Sequence, residues 1–462
     1  MRGHHSRRVV WIAGWLLALA LVNPYVRGDG NGYYAWLVSP IIDGDLDFTN
    51  QFARADPLFQ SLVFDETGAV RDEARTVTGH VGNQWSVGPA VMWAPWFLVA
   101  HLLVLVARSF GAAIQADGYS WPYLWCVSAG TVTYGMVALW CSLRSAVALG
   151  LERHAGLAVL GIALASSLPV YQVFLPFHVH ALSAAAVAAV VCYALLFPPG
   201  GSIKRWVTWG VFAGLMVQIY QLNGVLLIAP LMVWSRVLRA ENWATALRCG
   251  VAFAAAGLIV CVPQLAGKAI VYGSPLVSGY QDQFFFSQPR LWQTLLSTNH
   301  GWWLWTPIAA VACAGWISLW RARPEVRPFL AAAVAFYLVV ASYQNWHGLS
   351  SYGNRFFLSL TVLQVAGLAM VLARAGAAAT RVWSAVLIGL AVWNAGFIFQ
   401  WGTNIIPNRG AVSLRQVAVN QVTVVPDRMA AFLRRYIGDR RGAQDDVERE
   451  DADEQRRHKV ER

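Results

Sequence analysis

YLWCVSAGTVTYGMVALWCSL, residues Tyr123 to Leu143, holds no charged side chain and ends against Arg144. As a helix, an apolar run of about 18 or more residues is long enough to cross the hydrocarbon core of a bilayer. The same reading fits Val9 to Val26, Gly156 to Phe177, Val251 to Gly267 and the shorter Phe329 to Tyr343. Over all 462 residues, 57% are hydrophobic and 13% charged, against roughly 25% charged in an average soluble domain. Many of the 23 Trp flank these runs, among them Trp11, Trp121, Trp206, Trp302, Trp303, Trp383 and Trp401, as amphipathic rings do at headgroup level. The chain reads as an all-α, polytopic membrane helix bundle.

The net charge of +11 does not point to nucleic acid. The basic residues are scattered through short connectors, which suits the positive-inside rule better than a phosphate-binding face. Arg2, Arg7, Arg8; Arg144, Arg153; Lys204, Arg205; Arg236, Arg239, Arg248; Arg321, Arg323, Arg327; and Arg374, Arg381 mark six cytoplasmic segments, with Glu152, Glu241 and Glu325 their only acids. Arg7 and Arg8 precede an apolar stretch as in a signal peptide. No small-x-small cleavage site follows, so an uncleaved first membrane helix is expected. The six cysteines lie in or beside apolar runs without CxxC spacing and read as packing residues.

Two crossings fit between successive basic connectors after Arg144: Gly156 to Phe177 with Val179 to Phe197, Trp206 to Tyr220 with Leu222 to Leu238, Val251 to Gly267 with Trp302 to Trp320, and Phe329 to Tyr343 with Phe356 to Ala373. With the first helix, Tyr123 to Leu143 and a last crossing from Trp383 to Gln400, that gives about eleven crossings in residues 1–401. Val87 to Val106 is apolar too, but a crossing there would invert every later loop. Pro89 and Pro95 suit a broken or interfacial helix lying against the outer leaflet. A first outer loop then spans residues 27–120 and carries juxtamembrane helices. Two more outer segments run from Lys268 to Gly301 and from Gln344 to Arg355. Residues 402–462 form an outer C-terminal segment, expected to be disordered from about residue 439 because it is charged and almost free of apolar side chains. The basic run Arg434 to Arg441 is in tension with an outer placement.

Ionisable groups are nearly absent from the middles of the apolar runs, where a coupled transporter needs them, and gather at the outer boundary. Asp29 follows the first helix among glycines that permit close approach of a ligand. It could deprotonate a hydroxyl, or it could be a turn residue capping a short helix. The acids Asp43, Asp45 and Asp47 around Gly44 could bind a hard cation, or again form a solvated turn. His178 and His180 could bind phosphate, ligate a cation or cap a helix. Tyr33, Tyr34 and Trp36 could stack on sugar or isoprenoid, or belong to an interfacial aromatic belt. Arg355 could hold phosphate bidentately or anchor the next helix. His347 is a further candidate for substrate contact; His80, Arg290 and His300 are weaker ones. No Walker-type loop is present, which speaks against direct use of ATP or a cytoplasmic nucleotide sugar.

Taken in order, these stretches resemble the bacterial multi-spanning glycosyltransferases of the GT-C fold superfamily, relatives of the protein O-mannosyltransferases and of the lipid A aminoarabinose transferase. The resemblance rests on the carboxylate after the first membrane helix and on Asp43-Gly44-Asp45-Leu46-Asp47-Phe48-Thr49-Asn50. It continues through Ser86-Val87-Gly88-Pro89 with Trp93-Ala94-Pro95-Trp96, then Pro176-Phe177-His178-Val179-His180-Ala181 and Tyr272-Gly273-Ser274-Pro275. His300-Gly301-Trp302-Trp303-Leu304-Trp305-Thr306-Pro307, Asn345-Trp346-His347-Gly348 and Tyr352-Gly353-Asn354-Arg355-Phe356 complete it, covering residues from about 10 to 400.

It implies a polyprenyl-phosphate-linked sugar as donor, Asp29 as catalytic base, donor phosphate held by Arg355 and His180, and substrate contacts from Tyr33, Tyr34, His178 and His347. It further implies a multi-pass protein of the bacterial cytoplasmic membrane, with its N-terminus inside and its site on the outer face. The acceptor, whether glycan, lipid or protein, is not specified. Many relatives carry Asp-Glu where this chain has Asp29-Gly30, so a second carboxylate is in doubt. A divalent cation, Mg2+ or Mn2+, would be compatible with such a site, but the sequence shows no clear ligand set. The competing readings are a non-enzymatic carrier or flippase of lipid-linked sugar, for which Gln218, Gln221 and Asn223 are the nearest support, and a membrane assembly protein.

Overall fold

The computed structural model describes residues 2–280 and 283–460. Among them there is no strand, only isolated bridges; the rest is helix and connector. The main helices are α1 Arg2–Leu21, α2 Asp29–Val38, α3 Gly88–Ser109, α4 Trp121–Ala148, α5 Glu152–Ala165, α6 His180–Leu196, α7 Ile203–Ile219, α8 Ile228–Ala240, α9 Trp243–Tyr272, α10 Pro307–Ala322, α11 Arg327–Ser342, α12 Thr361–Gly402, α13 Leu414–Thr423, α14 Val425–Gly438 and α15 Arg440–Val460. Gly376 (φ 74°) turns the chain inside α12. That divides it at the expected Arg374–Arg381 connector, since positive φ costs glycine little.

Among the described residues, seven segments are long and apolar enough to cross a membrane: Gly88–Ser109, Trp121–Ala148, Gln221–Ala240, Trp243–Tyr272, Pro324–Ser342, Arg355–Gly376 and Arg381–Gly402. All but the first coincide with expected crossings. Val9–Leu21, His180–Leu196 and Pro307–Ala322 are apolar but shorter. The expected crossing from Gly156 to Phe177 stays α-helical only to Ala165. Beyond it Ser166 Oγ accepts from Leu168 N (3.2 Å), Pro169 has no N–H to continue the ladder, and Val170–Phe174 winds as a π-helix.

Val87 to Val106, expected to be a broken or interfacial helix, is unbroken: it is the continuous α3. Pro89 sits in its first turn, where a missing N–H goes unnoticed, and the helix continues through Pro95. It packs along only the first half of α4, where Trp93 Nε1 donates to Thr131 Oγ1 (2.9 Å) and His101 Nδ1 meets the Tyr123 hydroxyl (2.6 Å). Its start abuts the end of α7: a Cβ on Gly88 would lie 2.3 Å from Gln218 backbone.

Small residues let the helices approach closely. A Cβ on Gly210 would come within 2.4 Å of the Phe253 carbonyl oxygen, and one on Gly214 within 2.5 Å of that of Gly257, so α7 and α9 pack backbone to backbone. α10 and α12 meet similarly at Gly315 and Gly367.

The tail expected to be disordered from about residue 439 is helical, as α15, and docks on the linker between α1 and α2. Arg27 is buried there, and a buried cation requires a partner. Glu448 supplies one at 2.8 Å and Asp451 another at 3.9 Å. Asn23 donates to Glu448 (3.0 Å), Tyr25 to Asp445, and Arg440 and Gln444 to the Val22 carbonyl. These fixed partners order a segment whose composition alone argues for disorder. They also place α15 at the same end of the bundle as Asp29.

Candidate functional site

The α1–α2 linker is short and sharply set. Pro24 follows the end of α1, and Asn23 N donates to Val173 O (2.8 Å), pinning the exit to the π-helix. Gly28 adopts φ 51°, a conformation most side chains resist. Asp56 holds it there: its carboxylate accepts from Gly28 N (2.6 Å), Asn31 Nδ2 (3.0 Å) and Phe59 N (3.1 Å). Asp29 thereby becomes the first residue of α2, at the end of a helix that favours negative charge. Behind it α2 lies flush on its neighbours. A Cβ on Gly32 would fall inside the Trp85 ring, at 2.1 Å, and one on Gly30 would lie 2.9 Å from Phe177 Cβ.

Arg355 reaches the site from the opposite side of the bundle. Tyr352 N donates to the Tyr171 hydroxyl (3.0 Å) and Tyr352 Oη to Asn394 (2.8 Å). Asn354 donates to the Trp346 carbonyl (2.8 Å). The segment after α11 thus delivers Arg355 as the first residue of a 3-10 turn, Arg355–Leu360. Arg355 Nη1 and Asp29 Oδ2 are 2.8 Å apart, with side chains 13% and 31% exposed. Burial alone would raise the Asp29 carboxyl, but Arg355, the neighbouring His178 and a hydrogen bond from Trp85 outweigh it and hold Asp29 below the usual carboxylate range.

This ion pair faces a cavity of about 490 Å³. Its lining includes Tyr33, His180, Tyr220 and Tyr280 as well as the apolar Leu222, Val225, Phe284, Val339 and Phe356. The described lining residues include one carboxylate, Asp29, and one guanidinium, Arg355. Arg355 Nε and His180 Nδ1 have no hydrogen-bond partner among the described residues, so each has a donor or acceptor to spare. Burial pushes the Tyr33 phenol well above its ordinary value, so it stays neutral.

Of the residues expected at the site, Asp29, Tyr33, His180 and Arg355 meet at the cavity. Three others are elsewhere. Tyr34 is fully buried, donates to Gly118 O (2.5 Å) and packs edge-on against Phe97, Tyr119 and Phe177. His178 lies behind the Asp29 turn, where Gly28 leaves room for its ring; burial lowers its pKa to about 4, and it is neutral at pH 7. His347 turns back on its own loop and accepts from Leu349 N (3.1 Å), while Asn345, Gly348 and Leu349 line the cavity in its place.

The weaker candidates also lie outside the cavity lining. His80 pairs with Thr78, Arg290 with the Gln344 carbonyl, and His300 packs its ring at a tilt against Trp305 (4.5 Å between ring centres). The acids near Gly44 serve their own turn. Asp45 accepts from Ser39 and Asp47 N, Asp47 from Thr49, and Asp43 from Asn50 and Gln51. Among the described residues, no group of three or more His, Cys, Asp or Glu could hold a metal ion. Sequence reasoning missed Trp85, Tyr220, Tyr280 and the supporting Asp56. None of them sits in a motif, and Asp56 reads locally as the helix cap of Pro57–Val63, a role it also fills.

Comparison with protein-family models and with curated proteins finds no match for this chain.

Proposed function

We propose that this protein is a glycosyltransferase that moves a sugar from a polyprenyl phosphate to an acceptor hydroxyl at the outer face of the bacterial cytoplasmic membrane. The observation that carries the reading is a carboxylate and a guanidinium in contact on the wall of a cavity whose lining also holds many apolar side chains. A guanidinium suits a lipid phosphate, apolar side chains suit its tail, and a carboxylate suits an acceptor hydroxyl. The tail takes the apolar side chains, the phosphate takes Arg355 with His180, and the sugar lies over Asp29 beside Tyr33. The bundle then has eleven crossings, with the N-terminus inside and α3 a juxtamembrane helix of the outer leaflet.

Asp29 removes the proton from the acceptor hydroxyl as its oxygen bonds to the anomeric carbon. The bond from that carbon to the phosphate oxygen breaks, and Arg355 stabilises the charge left on the polyprenyl phosphate. One displacement inverts the anomeric centre. The ion pair gives the sequence an order. With Arg355 beside it, Asp29 is a weak base; once phosphate engages the guanidinium, the upward push of burial on Asp29 is less opposed. Donor binding therefore strengthens the base.

A carrier would need polar groups through the membrane depth. Those suggested by sequence cluster at the end of α7, where Asn223 donates to Ser183 Oγ (2.8 Å) and Met216 O (3.1 Å). The deciding experiment is transfer from radiolabelled polyprenyl-phosphate sugars by purified protein. Asp29→Asn is expected to lower turnover by about 10²–10⁴-fold while donor binding persists. Equal turnover in both proteins would remove Asp29 from the chemistry, and no transfer from any donor would favour a carrier or assembly role.

A further inference from the structure

A second cavity, of about 420 Å³, lies between α7, α8 and α9. Its walls include Trp206, Leu227, Pro230, Trp234 and Phe253, all apolar side chains. It is separated from the first cavity by the 3-10 segment Gln221–Leu227. Val225 belongs to both linings, while Gln221 and Leu222 face only the first, and Gly224 and Leu227 only the second. At Gly224 the place of a Cβ is open, with no atom within 4 Å, and the backbone there is not left-handed. At the far side Leu231 lines the cavity and is exposed.

We infer that the second cavity is the binding site for the distal isoprenoid units of the donor, reached from the first cavity across Val225 and open to the bilayer past Leu231. This rests on the transferase reading for the identity of the lipid. The occupant is fixed by continuity. A chain that enters the first cavity and passes Leu222 meets the second at Val225, which lines both. The position without a side chain, Gly224, lies in that stretch. No bond is made or broken here; the site adds apolar burial and so selects for long donors over short ones.

The test is photolabelling in detergent with a long-chain polyprenyl phosphate carrying a diazirine at its far end, followed by peptide mapping. Label is expected on Gly224–Trp234 or on Gly250–Phe253, and Gly224→Phe, which fills the open position, should reduce it about tenfold, equivalent to roughly two methylene groups of lost burial. Leu231→Trp, at the exposed mouth, gives the same reading should Gly224→Phe fold poorly. Label on other helices, or yields unchanged in both variants, overturns the inference. Because the probe carries no sugar, its result is independent of transfer: label at this site without turnover keeps the tail site and discards the transferase, whereas turnover with label elsewhere does the reverse.

Discussion

At Gly30 a Cβ would stand 2.9 Å from the Phe177 Cβ and 3.3 Å from the Phe177 carbonyl oxygen, so an acid after Asp29 would have to displace the turn that carries His178. The glycine after Asp29 thus has a steric cause, and on the proposed transferase reading Gly30→Glu is expected to lower both melting temperature and transfer rather than add a second base. Asp56 is the hidden support of the same turn. Asp56→Asn turns an acceptor of three N–H groups partly into a donor, and it should cost about 1–3 kcal/mol of stability, read from thermal melts, with a parallel fall in turnover. His178 sets a pH limit. Its pKa is about 4 in the folded protein against an ordinary 6.5, so between these values the unfolded chain binds a proton that the folded one does not. Stability should therefore fall by up to about 3 kcal/mol as pH drops through that window. Asp29, held below its ordinary value, adds a loss of the same sign at lower pH. Thermal melts of wild type and His178→Asn at pH 7.5 and 5 check the first effect, which the variant should largely lack. Asp29, Arg355 and His180 were legible because a charged or polar side chain at the edge of an apolar run needs a reason to be there. Tyr34 and His347 were not separable from the true lining, since an aromatic or histidine in an outer loop packs inward as readily as it faces a ligand.

Elements were read with more success where one force dominates. Apolar runs bounded by arginines gave six of the seven membrane-length segments. Gly156 to Phe177 misled because hydropathy does not register Pro169 or the serines before it as a break. α3 misled in the other direction, since a proline in the first turn costs a helix nothing. The contact between α7 and α9 depends on glycine alone, and Gly214→Leu, which must force apart backbones now in contact, should destabilise the protein by about 1–3 kcal/mol or more in detergent melts. α15 could not be read from its own composition, because its partners in the α1–α2 linker lie more than four hundred residues away. Glu448→Ala leaves Arg27 buried with its nearest counter-charge removed, and α15 is expected to become cleavable by limited proteolysis while the bundle stays intact.

Across the whole molecule, separate connectors converge on one cavity: Asp29 from the linker after α1, His180 from the turn before α6, Tyr220 from the turn after α7, Tyr280 from the segment after α9 and Arg355 from the segment after α11. The basic connectors meet one another elsewhere, with Gly150 beside Arg323 and Gly201 beside Glu241. Segregation of charge along the chain thus carried three-dimensional information that no single motif held. On the proposed topology, single cysteines replacing Val77 and Ile437, both exposed, should react with a membrane-impermeant maleimide on intact cells in a cysteine-free background, while one replacing Leu238 should not. The clasp between the α1–α2 linker and α15 has a consequence in time. Asn23 and Glu448 lie 425 residues apart, so a ribosome releases Arg27 long before it makes the acids that neutralise it. The newborn protein must shelter an unpaired cation beside the Asp29 turn through the insertion of every helix between. Latching of the linker is thereby tied to synthesis past Asp451, and a product stopped short of residue 440 would leave the ribosome with its membrane helices made and its first loop unlatched.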